Sequence, residues 1–173
     1  MATTHPMVTF DPSYRAGGFA LALAAGAILA AIGFERIGGY EPCPLCLMQR
    51  YAYYAGIPAL FFSMVLVTMG QNRVAALAFF AVSLMFLANA GLGVYHAGAE
   101  WKFWPGPDTC AATARELSTG AGSLLKDLEK VRVIRCDEAP WTFAGLSFAG
   151  WNVVLSFVIF VASLQAASAA ARR

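Results

Sequence analysis

Charge is what this chain has least of. Only 13% of its 173 residues are Asp, Glu, Lys or Arg, while 59% are hydrophobic, a balance that excludes an ordinary water-soluble domain of this length. Nor is there a run of Lys and Arg interleaved with aromatics, and the net charge of +2 is small. A nucleic-acid partner is therefore not expected.

The apolar residues are clustered. Charge-free runs cover Gly17 to Phe34, Tyr51 to Met69, Val74 to Tyr95 and Phe143 to Leu164, each near the ~20 residues that cross a bilayer as a helix. Pro58, Asn89, Gly91, Gly93 and Ser156 lie inside them; such residues argue against a strand barrel and suit packed membrane helices. Pro58 predicts a kink in the second span. The first run exceeds the ~7 to 15 apolar residues of a signal-peptide core and more spans follow, so it is expected as a retained span. The reading is an all-α integral membrane protein, one four-transmembrane-helix domain over 1–173 with spans at about 17–34, 51–69, 74–95 and 143–164.

Parity then orders the connections. The second and third spans form a hairpin about the turn "GQNR", so segments 35–50 and 96–142 emerge on one side, bringing Cys43 and Cys46 to the side of Cys110 and Cys136. On the other face Arg15, Arg73, Arg172 and Arg173 have only Asp11 for acidic company, whereas the cysteine segments mix Lys and Arg with nine acids. The basic face is assigned to the cytoplasm, with both termini, and the cysteines to an oxidising compartment. Within the long loop "SLLKDLEKV" sets Leu124, Leu125, Leu128 and Val131 at helical spacing; it fits a helix lying on the membrane surface and equally a solvated helix packed on its own loop. Tyr40, Trp101, Phe103, Trp104 and Trp141 fall where an interfacial aromatic belt is expected, and most are read as anchors.

Four cysteines in two groups admit a zinc site, but structural zinc usually joins two close couples, and twenty-five residues separate Cys110 from Cys136. A purely structural disulfide framework explains the long-loop pair well and the close pair poorly. Cys43-Pro44-Leu45-Cys46 has redox-dithiol spacing at the mouth of a helix starting near Leu47, whose positive end favours a thiolate. If the helix already includes Cys46, Arg50 lies one turn on, and its fixed cation favours the Cys46 thiolate. The bland reading of Arg50 is a snorkelling residue at a span boundary. A lipid-soluble quinone is the natural destination for two electrons at a membrane dithiol. His96, at the end of the third span, is positioned to hydrogen bond a quinone carbonyl; its bland reading is a capping or interfacial histidine.

"EPCPLCLMQR" before the second span, "YHAGAEWKFWPGPDTC" after the third and "RCDEAPW" before the fourth together resemble the bacterial disulfide bond formation protein B (DsbB) family of quinone-dependent thiol oxidases, over nearly the whole chain. The resemblance implies a bacterial inner-membrane enzyme with periplasmic cysteine loops, a quinone cofactor (ubiquinone or menaquinone) and a DsbA-like periplasmic thioredoxin-fold dithiol oxidase as partner. It implies that Cys110 and Cys136 form the disulfide attacked by that partner, at Cys110, and that Cys136 then exchanges with the other pair. Electrons would pass to Cys43 and Cys46, with Cys46 nearest the quinone, Arg50 stabilising its thiolate and His96 close to the quinone. The related vitamin K epoxide reductase family has a similar four-helix quinone site, but the loop motifs give no reason to prefer it. Two alternatives stand beside this reading: the same relay run as a thiol reductase, and a non-catalytic metal-binding or assembly scaffold.

Overall fold

The computed structural model describes residues 11–106, 136 and 139–173. Three of the four described helices start where local chemistry provides for their unpaired N–H groups. Helix α1 (Pro12–Arg36) opens on proline, which needs no hydrogen-bond acceptor, and the Asp11 carboxylate accepts from Ser13 N at 3.0 Å. Helix α2 (Pro44–Thr68) opens the same way behind Cys43. It begins ahead of the charge-free run at Tyr51 and of the start expected near Leu47. Pro58 lies inside the unbroken α2. Gly70, at φ +75°, turns the chain into α3 (Asn72–Glu100), a conformation that glycine adopts without steric cost.

The fourth helix differs most from expectation. Residues expected at its start instead form a small hairpin, β1 (Thr142–Phe143) and β2 (Leu146–Ser147), paired Thr142 to Ser147 and Phe143 to Leu146. Ala144 and Gly145 both have positive φ, as a tight two-residue turn requires. Ser147 then caps α4 (Phe148–Ala171), its hydroxyl accepting from Gly150 N at 3.2 Å.

All four helices are long and apolar enough to cross a membrane, so the four-helix membrane bundle read from the sequence is the architecture found. They pack in a ring in chain order, α3 and α4 most closely and α2 and α4 barely touching. Small residues let them approach: a Cβ on Gly93 would meet Val153 Cγ2 of α4 at 2.8 Å, and one on Gly56 would meet Phe86 Cε2 of α3 at 2.6 Å. Phe79, Phe86, Leu60 and Ile159 fill the centre, while Phe19, Leu29, Phe61 and Leu77 face outward, where lipid is their solvent. Mid-bundle, the Tyr53 hydroxyl donates to Asn152 Oδ1 at 2.8 Å and Asn89 Nδ2 donates to Ser156 Oγ at 2.9 Å, joining α2, α3 and α4. Asp11 and Arg173 pair at 2.6 Å at one end of the bundle, leaving the far end to the start of α2 and the finish of α3.

Candidate active site

Cys43 owes its position to the proline behind it. Pro44 at the first helical position leaves Cys43 as N-cap, in extended conformation, and its sulfur accepts the Cys46 backbone N–H at 3.3 Å. Cys46, already inside the first turn, is thereby brought round until the two Sγ atoms stand 3.0 Å apart. Both are free thiols. The positive end of α2 points at them, an environment that favours thiolate.

His96 approaches from α3. It lies inside that helix, one turn before its end and only 2% exposed, rather than at the start of a loop. Its Nε2 is 3.6 Å from Cys43 Sγ, and its Nδ1 is 3.1 Å from Gln49 Nε2 on α2. With the Gln49 amide donating to Nδ1, the ring proton sits on Nε2, toward the sulfur. The hydrogen bond from the Cys46 thiol lowers the Cys43 thiol most. Burial opposes it, and His96 and the Cys46 N–H reinforce it, leaving Cys43 pulled down to about 4. These contacts favour a thiolate at Cys43.

Arg50 is also differently engaged. Its guanidinium donates to the Glu35 carboxylate in the last turn of α1, so its charge is shared with α1. A second carboxylate lies deeper: the Glu100 side chain is 3% exposed, with Oε1 3.8 Å from His96 Nε2 and Oε2 accepting from the Ser147 hydroxyl.

These groups border one cavity of about 670 Å³, within the ~300 to 1,000 Å³ typical of small-molecule sites. Cys43, Cys46, Gln49, Arg50, His96 and Glu100 form its polar wall, while Ala27, Ile28, Ala30 and Ala31 of α1 give an apolar one. Phe34, Tyr40, Trp141 and Phe148 also line it, with Trp141 stacked on Phe148 at 4.8 Å and Phe34 5.2 Å from Trp141. Tyr40 and Trp141, expected in an interfacial belt, line the cavity. A flat ring with polar oxygens and an apolar tail, as in a quinone, suits these walls in size, shape and donor set.

Cys136 is disulfide-bonded and buried, in one cluster with Cys43 and Leu45, so the structure brings a cysteine of the long loop to the thiol pair. Cys110 and the segment "SLLKDLEKV" lie outside the described residues. Cys43, Cys46 and His96 offer three donor atoms within 4.8 Å of one another. A closed structural zinc site takes four ligands; no fourth Cys, His, Asp or Glu joins this group among the described residues.

Sequence reasoning missed Gln49, Glu35, Glu100 and Ser147. A signal existed for one of them, since Glu100 follows His96 by four residues and i, i+4 positions share a helix face.

Residues 14–166 match the model of the family described as disulfide bond formation protein DsbB. Among curated relatives, disulfide bond formation protein B of Aromatoleum aromaticum is 30% identical over 147 residues, covering 83% of this chain and 86% of that protein. Its counterpart in Marinobacter nauticus is 26% identical over 164 residues, covering 85% and 87%, and that of an Acidovorax species is 28% identical over 160 residues, covering 83% of each. No solved structure matches. With the match running from the first turn of α1 almost to the end of α4, the chain belongs to the DsbB family of membrane proteins for disulfide bond formation.

Proposed function

We propose that the protein is a thiol:quinone oxidoreductase of the bacterial inner membrane that reoxidises a DsbA-like periplasmic thioredoxin-fold dithiol oxidase. The observation that carries this reading is that the Cys43 and Cys46 thiols, 3.0 Å apart, open onto the same cavity as Arg50, His96 and the aromatic wall. Bound there, a quinone supplies a two-electron acceptor.

The protein's own groups do the rest. The partner's thiolate attacks the Cys110–Cys136 disulfide at Cys110 and releases the Cys136 thiolate; the partner's second thiol then closes its own disulfide and frees Cys110. With the Cys43–Cys46 pair oxidised, the Cys136 thiolate, in the cluster of Cys43, opens that disulfide and Cys110 closes the long-loop disulfide again, leaving Cys43 and Cys46 reduced to pass two electrons on. His96 holds a proton at Nε2 beside Cys43. Arg50, steadied by Glu35, offers donors to an oxygen that gains charge. The aromatic wall orients the ring and keeps water from the sulfurs. The cysteine end of the bundle faces the periplasm, and the Asp11–Arg173 end faces the cytoplasm.

The test is whether the purified protein in detergent reduces ubiquinone or menaquinone at the expense of a reduced thioredoxin-fold protein. Absence of quinone reduction, with the chain folded, ends the proposal. Starting instead from quinol and oxidised partner distinguishes the same relay run as a reductase.

A further inference from the structure

Glu100 is a buried acid that the relay above does not use. An ionisable side chain buried in protein at the end of a membrane helix is costly to keep charged and is a candidate for a proton or ion path. Its surroundings are specific. The Ser147 hydroxyl, from the hairpin before α4, donates to Oε2, and Oε1 faces His96 Nε2 at 3.8 Å. Cys43 Sγ lies 3.6 Å from the same nitrogen. His96 is thus a single bridge with sulfur on one side and carboxylate on the other.

Among the described residues, the titratable groups facing Glu100 include His96 from its own helix and Cys43 and Cys46 from the start of α2. Arg50 and Glu41 border the cavity too, with Arg50 already paired to Glu35.

We propose that Glu100, acting through His96, stores the proton that Cys43 does not hold when the Cys43–Cys46 pair is reduced, and gives it back when the pair is oxidised. This rests on the thiol:quinone reading and extends it to the protons. An incoming dithiol delivers two electrons and two protons. The Cys43–Cys46 disulfide breaks, one proton stays on Cys46 sulfur, Cys43 remains thiolate, and the second proton ends on the Glu100 carboxylate, His96 giving its Nε2 proton to Oε1 as it takes the one arriving on the sulfur side. On oxidation the sulfur–sulfur bond forms again. Two electrons leave with two protons, one from Cys46 and one from Glu100. Net charge in the site is the same before and after each half-reaction, which matters where charge is poorly solvated. Glu100 is on this account a positioning residue for protons and touches neither sulfur.

The experiment counts protons in quinone-free protein. In a Cys110→Ser/Cys136→Ser background only the Cys43–Cys46 pair can be reduced. Dithiothreitol is added at neutral pH in weak buffer with an indicator dye. With Glu100 present no net proton should appear in the medium; with Glu100→Gln one proton should be released per pair reduced, and Glu100→Asp should restore uptake. Equal release with and without Glu100 overturns the proposal. Infrared difference spectra of the otherwise unchanged protein give a reading that no variant's folding can spoil: reduction should add a protonated-carboxyl band, and its absence also overturns the proposal. Because no quinone is present, failure of quinone reduction in the separate turnover assay counts against the enzyme reading alone.

Discussion

Glu35, in the last turn of α1, holds the guanidinium of Arg50 in the second turn of α2. A residue that sequence spacing placed beside Cys46 is thus tethered to a different helix. The tether fixes where its donors point into the cavity.

Arg50→Met should leave formation of the Cys110 mixed disulfide with a soluble dithiol protein intact and slow quinone reduction by at least tenfold, on the order of 1.4 kcal/mol of lost stabilisation. Arg50→Lys should recover part of that, since an ammonium lacks the planar fork. Glu35→Gln should raise KM for quinone with less change in kcat. Stopped-flow measurement of each step separately checks this; equal quinone turnover by Arg50→Met and the parent would reduce Arg50 to a membrane anchor.

Cys43 should carry a thiolate at unusually low pH. Its thiol is pulled down to about 4 from 9.0, so the anion persists through neutral pH and is lost only as pH falls toward 4. The ultraviolet absorbance of thiolate, followed during an acid titration of the reduced protein, should show that midpoint. His96→Phe removes one of the lowering contacts and should move the midpoint upward. A midpoint near that of a free cysteine in the parent would contradict the geometry.

The last turns of α3 and its seam with α4 should not tolerate added bulk. A Cβ at Gly98 would lie 2.0 Å from Trp104 Cζ2, and Trp104 Nε1 donates to Tyr95 O at 2.8 Å. Gly98→Ala should therefore expel the indole and break that bond, while Gly93→Leu should push α3 from Val153. Overpacking of this kind costs about 1 to 3 kcal/mol, measurable as a lowered unfolding midpoint in detergent. Gly33→Ala, with nothing within 4 Å of the added carbon, is the control.

A membrane-impermeant thiol reagent should reach Cys43, Cys46, Cys110 and Cys136 from one side of the membrane only, after reduction and with unfolded controls for buried sulfurs. A cysteine introduced at Ser168, exposed near the end of α4, should label from the opposite side. Labelling of the two native pairs from different sides would break the relay.

The helices were legible because lipid demands long apolar runs, and those runs have few other uses. Their ends were not, because absence of charge is a poor marker of where a helix stops. Arg50 and Glu100 lie within α2 and α3 because Glu35 and Ser147 satisfy them, and neither partner is near in sequence. The start of α2 was more readable than it was read, since proline after a residue with a polar side-chain atom is a helix-start signal and Cys43 supplies the atom. The hairpin at Ala144 and Gly145 was hidden inside a charge-free run that looked helical throughout. Around the cavity, spacing pointed to Cys43, Cys46 and Arg50 and the end of the third span to His96, and all four line it. Gln49, Glu35 and Ser147 act only through contacts the bundle creates.

In the proposed relay Cys43 is a reacting sulfur as well as the cap of α2, and this bears on the reduction potential of the pair. A disulfide gains little from a helix end or a histidine N–H, whereas a thiolate gains from both, so those contacts weigh on the reduced form alone. Whatever stabilises the reduced form raises the potential, by ~30 mV for about 1.4 kcal/mol in a two-electron couple. In the proposed relay the turn of helix that begins at Pro44 therefore makes the pair a ready taker of electrons from an incoming dithiol, and by the same amount lessens the drop down which they would then pass to the bilayer.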